Sequence, residues 1–269
     1  MATSAEHDPR RAQNRQARVA LRLAQALNQS GLQVVYQPEF DLRTRQTVSF
    51  EALCRWRDDE LGDVAPDEFV AVAEAEGLVV PLGQYMIKQV LHDLPTLLVR
   101  WPQARVAVNV SGVELALSDF AQRTETTIRQ INPLLAKHLE LEVTESIFHF
   151  DLPTVRQNLK AIREMQITVA IDDFGTGQSS LSRLHSIPFD KIKLDRSFTQ
   201  ALDHPMVQAI VRAMAQLSET FTRTLVVEGL ETSTQLEQLI KLGCGMGQGY
   251  LLCPPCRLQD LPDKVTWPE

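Results

Sequence analysis

Thr168-Val169-Ala170-Ile171-Asp172-Asp173-Phe174-Gly175-Thr176-Gly177 reads as a buried strand that ends in two adjacent carboxylates and a glycine loop, with a short helix expected near Leu181 to Leu184. The same order recurs along the chain. Thr47 to Phe50 runs into Glu51, Val106 to Val108 into Asn109, and Leu139 to Leu141 into Glu142. Lys191-Ile192 leads into Lys193, and Leu225 to Val227 into Glu228. One polar residue after an apolar run is ordinary. Six in succession, separated by helical stretches, point to one shared site, because parallel strands in a barrel bring their C-terminal ends to one face. The repetition predicts an enzyme.

Between these runs the helix signals are regular. Pro66 to Glu76 carries Pro and acids in its first turn and Gly77 just past its end. Met86, Val90 and Leu94 repeat at helical spacing, with Ile87 and Leu91 beside them. Val155, Leu159 and Ile162 mark another helix, as do Met206, Ile210, Met214 and Leu217. Thr232 and Gln235 form a capping box ahead of a helix that Gly243 stops. Val34 to Tyr36 is read as the first strand and Gly249 to Leu252 as the last. Eight strand candidates with intervening helices predict an α/β fold, a closed (β/α)8 TIM-like barrel. The first two strands are joined by residues 41–46 alone, too short for a crossover, so one antiparallel strand is expected near the N-terminus. Residues 1–20, with Arg10, Arg11, Arg15 and Arg18, read as a flexible segment or linker, and residues 21–269 as one barrel domain.

The chain has 269 residues, 44% apolar and 23% charged, as in ordinary globular proteins. A net charge of -7 argues against binding polymeric nucleic acid, which needs a basic surface. No apolar run reaches the ~18 residues of a membrane span, and no secretory signal is seen, so a cytoplasmic chain or the cytosolic part of a larger protein is expected. Cys253-Pro254-Pro255-Cys256 has C-x-x-C spacing, yet neither a second pair nor a nearby His completes a zinc set. With Cys54 and Cys244 these thiols are read as structural or incidental.

Leu139 to Glu145 alternates strictly, which puts Glu140 and Glu142 on one face; Glu142 lies nearer the C-terminal mouth. A half-solvated strand gives the same pattern. Asp172-Asp173 suits two hard cations, though a polar turn with a capping Asp reads alike. Lys193 is placed to act on a bound water or a phosphate, but Lys191 shares its parity and an ion-pair lysine is equally compatible. Glu231 follows Glu228 in the next loop, and Gln248 offers a neutral group beside Gly249. An inventory of carboxylates, one Asn, one Lys and one Gln, without His, favours Mg²⁺ or Mn²⁺ over soft metals. Paired ions of this kind serve phosphodiester hydrolysis. The alternative on residues alone is a barrel that abstracts a proton α to a carboxylate with Lys193 as base, which leaves the adjacent Asp pair unexplained.

Assembled, these residues resemble the EAL-domain cyclic di-GMP phosphodiesterases over about residues 30–256. The resemblance rests on Glu51-Ala52-Leu53-Cys54-Arg55-Trp56, Tyr36-Gln37-Pro38, Pro66 with Phe69, and Asn109-Val110-Ser111. It continues through Glu142 to Glu145, Asp172 to Leu181, Lys193-Leu194-Asp195, Glu228 to Glu231 and Gln248-Gly249-Tyr250. It implies hydrolysis of cyclic di-GMP to linear pGpG with two Mg²⁺ or Mn²⁺ ions. It implies Glu51, Asn109, Glu142, Asp172, Asp173 and Glu228 as metal ligands, and Lys193 as the group that positions or activates water. Glu145 would anchor the loop carrying Asp173, Gln248 and Glu231 would support the site, and Gln37 and Arg55 would contact substrate. A homodimer, and an upstream sensor or GGDEF cyclase domain, are further implied partners. A non-catalytic receptor on the same fold would be expected to lack ligands or the lysine. Departures from the family pattern are Gln178, Leu252 and Ser49.

Overall fold

The computed structural model describes residues 9–29, 31–176 and 181–261. Nine strands form one sheet: β1 Leu32–Asp41, β2 Thr47–Asp58, β3 Gly62–Val64, β4 Arg105–Asn109, β5 Leu139–Thr144, β6 Thr168–Phe174, β7 Lys191–Leu194, β8 Thr224–Val227 and β9 Met246–Gly247. Their order is β1-β9-β8-β7-β6-β5-β4-β2-β3, and β1 also pairs with β2, which closes the barrel on eight strands and leaves β3 as a hairpin on its rim. β1 is antiparallel to both neighbours. The other seam pairings from β2 through β4 to β9 are parallel.

Ten α-helices are described: α1 Pro9–Gln29, α2 Pro66–Ala75, α3 Val79–Arg100, α4 Gly112–Leu115, α5 Phe120–Ile131, α6 Leu152–Glu164, α7 Leu181–Leu184, α8 Arg196–Gln200, α9 Pro205–Thr220 and α10 Ser233–Lys241. The stripe Met86, Ile87, Val90, Leu91 and Leu94 of α3 is buried, as its spacing predicts. The Thr232–Gln235 capping box forms. Leu139, Leu141 and Val143 pack outward under the helices, while Glu140 and Glu142 are buried within the barrel.

Three sequence expectations change. Residues 9–20 belong to α1 rather than to a linker. Val19 and Leu23 are buried against α2, and Arg15 and Arg22 pair with Glu68 and Asp58. The side chains of Arg10 and Arg11, and residues 1–8, lie outside the described set. Strand β2 continues seven residues past Glu51, so Glu51 lies within a strand; its parallel pairing ends at Ala52, and the remainder rises above the rim to pair with β1 and β3. The last strand is Met246–Gly247, not Gly249 to Leu252. Gly249 instead crosses the Leu230 backbone, where a Cβ would lie 2.2 Å from Leu230 N and O. Helix α9 forms where its spacing predicts, with Val211 and Met214 facing the core and Met206, Ile210 and Leu217 exposed.

Candidate active site

Strand register stacks the interior side chains in two layers. Gln37 is level with Glu51, and Asn109 with Glu142, near the C-terminal mouth. Two residues deeper in the barrel on the same strands (forward on the antiparallel β1, back on the others), Glu39 faces Ser49, and Ala107 is level with Glu140. The side-chain period of two that places one layer inside therefore places the other inside as well.

The upper layer centres on Lys193, which is 0% exposed. Its Nζ lies 2.7 Å from Glu228 Oε1, 3.0 Å from Glu142 Oε1, 3.2 Å from Glu51 Oε2 and 3.5 Å from Asp172 Oδ1. Asn109 Nδ2 donates to Glu51 Oε1 at 2.9 Å and Gln248 Nε2 to Glu51 Oε2 at 2.9 Å. One ammonium cannot satisfy so many acceptors: both oxygens of Glu142 and Oδ1 of Asp172 are buried without a hydrogen-bond partner. Burial works to neutralise Lys193, but Asp172, Glu142, Glu228 and Glu51 outweigh it and keep it charged. Burial pushes Glu228 up to about 8 against the pull of Lys193, and raises Glu142 and Asp172 as well. Glu51 goes the other way: burial is outweighed by Lys193 and by the donors of Asn109 and Gln248.

The Asp pair is aimed by a defect in the strand. The β6–β7 register breaks between Ile171 and Phe174, and Asp173 takes φ 52°, a left-handed conformation uncommon outside glycine. Glu145 Oε1 accepts from Gly175 N at 3.1 Å, which ties down the turn just after Asp173. Oxygen atoms of Asp172, Asp173 and Glu228 lie within 4.8 Å of one another, as do those of Glu51, Glu142 and Asp172. Burial, then the neighbouring Asp172 charge, lifts Asp173 to about 6. Gln178 lies outside the described residues.

The remaining expected residues flank this centre. Gln37 donates to the Cys253 carbonyl at 3.2 Å, and with Gln248 and Glu231 it lines a 310 Å³ cavity over the acids. Glu231 is exposed at the rim of that cavity. Arg55 Nη1 donates to the Cys54 carbonyl, and Arg55 borders a second cavity of 470 Å³ that Asn109 also lines. Two residues that line these cavities lacked a sequence signal of their own. Arg196 opens α8 beside Gly229, where φ is +70° and a Cβ would meet the Arg196 Cβ at 2.4 Å. Glu114 of α4 lines the larger of the two. In the lower layer, Lys191 bonds Glu39 Oε2 at 2.7 Å and Glu140 Oε1 at 2.6 Å, and Ser49 donates to Glu39. Lys191 and Glu140 thus belong to an ion triad beneath the site; Glu39 was recognisable only through its parity with Gln37.

A barrel with carboxylates converging inside it is a class of site that could hold divalent cations. The sequence model of the EAL domain family matches residues 20–255. The chain belongs to the EAL domain family. It is 42% identical over 240 residues to y4lL of Sinorhizobium fredii, covering 88% of this chain and 28% of that protein. It is 36% identical over 254 residues to the cyclic di-GMP phosphodiesterase PA2567 of Pseudomonas aeruginosa, covering 94% of this chain and 43% of the relative. The PaMucR phosphodiesterase in complex with c-di-GMP superposes with a TM-score of 0.84 at 33% identity, over 91% of this chain and all of that one. The chain thus spans less than half the length of these two curated relatives.

Proposed function

We propose that this chain is a metal-dependent phosphodiesterase that hydrolyses cyclic di-GMP to linear pGpG. The carrying observation is the upper layer, in which buried oxygens of Glu142 and Asp172 accept no hydrogen bond among the described residues and meet the charged Lys193 only as ion pairs. Glu51, Glu142, Asp172, Asp173 and Glu228 against Lys193 leave four negative charges when all are ionised, the charge of two divalent cations. These acids and Asn109 would hold two Mg²⁺ or Mn²⁺ ions, which an all-oxygen donor set suits. Such ions, when bound, supply Lewis-acid polarisation of the phosphate and of the attacking water.

The side chains supply the rest. In hydrolysis the water oxygen bonds to phosphorus, the bond from phosphorus to the 3′ oxygen breaks, and that oxygen takes up a proton. Lys193, kept cationic by its acids, donates to the attacking water and fixes its position. Gln248 and Asn109 hold Glu51 from both sides, and Glu145 holds the loop of Asp173 through Gly175. Glu231 and Gln37 border one cavity and Arg55 the other, so a two-armed dinucleotide has room for a base on each side with its phosphate over the acids. Arg55 serves phosphate recognition, for which a guanidinium fork is matched.

A second copy of this chain is the partner assigned to α9, whose Met206, Ile210 and Leu217 line one exposed face that Phe221 continues. An upstream sensor or GGDEF cyclase domain is the further partner, in keeping with the greater length of the relatives. The cytoplasm is the assigned compartment: the four cysteines are free thiols, and no described helix is long and apolar enough to cross a membrane. The test is hydrolysis of cyclic di-GMP with Mn²⁺, with and without EDTA. Linear pGpG formed only in the metal-containing reaction supports the reading, and no product under either condition overturns it.

A further inference from the structure

Glu114 is a buried carboxyl that no part of the proposed chemistry uses. It sits on α4, the turn that follows the Asn109-Val110-Ser111 segment, and is 3% exposed. Its carboxyl lies where α3 has a glycine: a Cβ on Gly83 would come 2.3 Å from Oε2 and 2.8 Å from Oε1. Among the described residues its oxygens accept no hydrogen bond, and they are not sealed away, for Glu114 lines the 470 Å³ cavity that begins at Asn109 and passes Arg55. Arg123 of α5 is the cation acting on it, and its Nε and Nη2 are buried without partners. Glu74 and Asp67 of α2 border the same cavity. A largely buried carboxyl without a protein donor is costly unless water or a ligand in the cavity supplies one.

The walls specify that ligand. Phe69, Leu82 and Met86 offer apolar surface to a flat ring, and the acid stands among them with two acceptors and no donor when ionised. Guanine presents two adjacent donors, N1–H and the 2-amino group, on one edge. Adenine presents an acceptor at N1 beside its donor and mismatches. We infer that Glu114 is a specificity residue that reads one base of the substrate, its carboxylate accepting the N1–H and N2–H donors of a guanine seated in this cavity. This rests on the phosphodiesterase reading above. Burial holds the Glu114 carboxyl up at about 7, so a small gain from the two donors is enough to keep it ionised at neutral pH.

The test compares kcat/KM for cyclic di-GMP and for cyclic di-IMP, which lacks the 2-amino group, in the Mn²⁺-loaded wild type and in Glu114→Gln. The wild type is expected to favour cyclic di-GMP about 10-fold or more, the value of a hydrogen bond to a charged group. Glu114→Gln is expected to raise KM for cyclic di-GMP about 10- to 100-fold with kcat within about twofold, and to bring the ratio between the two substrates toward one. A merely structural role would lower both substrates alike and leave the ratio unchanged, which overturns the inference. The wild-type ratio needs no variant, and a wild type indifferent to the 2-amino group overturns it equally. A wild type that hydrolyses neither substrate overturns the phosphodiesterase reading and this inference with it.

Discussion

Replacing Glu114 by Gln should stabilise the protein, and only at neutral to alkaline pH. The carboxyl is held at about 7 by burial, against an ordinary value of 4.5. Below pH 4.5 it is protonated in the folded and unfolded chains alike and contributes no difference. Between 4.5 and 7 the folded chain keeps a proton that the unfolded chain releases, so stability falls as pH rises. Above 7 the whole penalty is present. At about 1.4 kcal/mol for each tenfold change in proton affinity, the gap amounts to about 3 kcal/mol. Glutamine keeps the shape and removes the charge. Urea unfolding in EDTA at pH 5, 6, 7 and 8 should therefore show a variant about 3 kcal/mol more stable than wild type at pH 8, converging on it at pH 5. In a thermal scan at pH 8 that equals roughly 6–12 °C for a domain of this size. A difference that stays flat across this range, or a variant weaker at pH 8, would refute the reasoning.

Lys193→Ala should lose turnover by about 10³-fold or more while still binding cyclic di-GMP, because it removes the donor without touching either cavity; wild-type turnover in that variant would dismiss the water-positioning role. Glu51→Ala takes away the acceptor shared by Asn109, Gln248 and Lys193, and should abolish activity and weaken Mn²⁺ binding measured by calorimetry. Saturating Mn²⁺ at about 100 times its dissociation constant should raise stability by about 3 kcal/mol relative to EDTA, read from the same urea curves. Lys191→Met leaves Glu39 and Glu140 buried without their cation and should lower stability by about 3–5 kcal/mol, most of it recovered when both acids are also made Gln.

How much of this was legible follows from which features are local. An apolar run and its terminal residue sit side by side in sequence, so the convergence of Asn109, Glu142, Lys193 and Glu228 could be read directly. The Thr232 capping box and the α3 stripe are equally local. Register is not local. Glu39 becomes an interior acid only because β1 pairs antiparallel with β2 in the register that sets it against Ser49. Strict alternation would send Asp172 and Asp173 to opposite faces of β6; the break after Ile171 and the positive φ at Asp173 aim both at the site, and no periodicity in the sequence encodes that break. Glu114 was hidden for another reason. Its isolation depends on the absent side chain at Gly83, thirty-one positions earlier.

The two interior layers show how one barrel separates stability from function. They use the same strands two residues apart, so the backbone is common and the side-chain ratio differs. Below, one ammonium serves two acids in direct hydrogen bonds, and among the described residues Glu39 Oε1 is the one fully buried carboxylate oxygen there without a hydrogen-bond partner. Above, one ammonium is surrounded by four carboxylates at 2.7–3.5 Å, and three buried oxygens of Glu142 and Asp172 accept no hydrogen bond among the described residues. Exchanging the ratio should exchange the behaviour. Glu142→Gln with Glu228→Gln would leave Lys193 with two acids, as Lys191 has now. That variant should be as stable in EDTA as the wild type or more so, and should no longer gain stability when Mn²⁺ is added. If it still gained the full wild-type increment, the cation affinity would have to reside in some other group, and the assignment of the upper layer would fail.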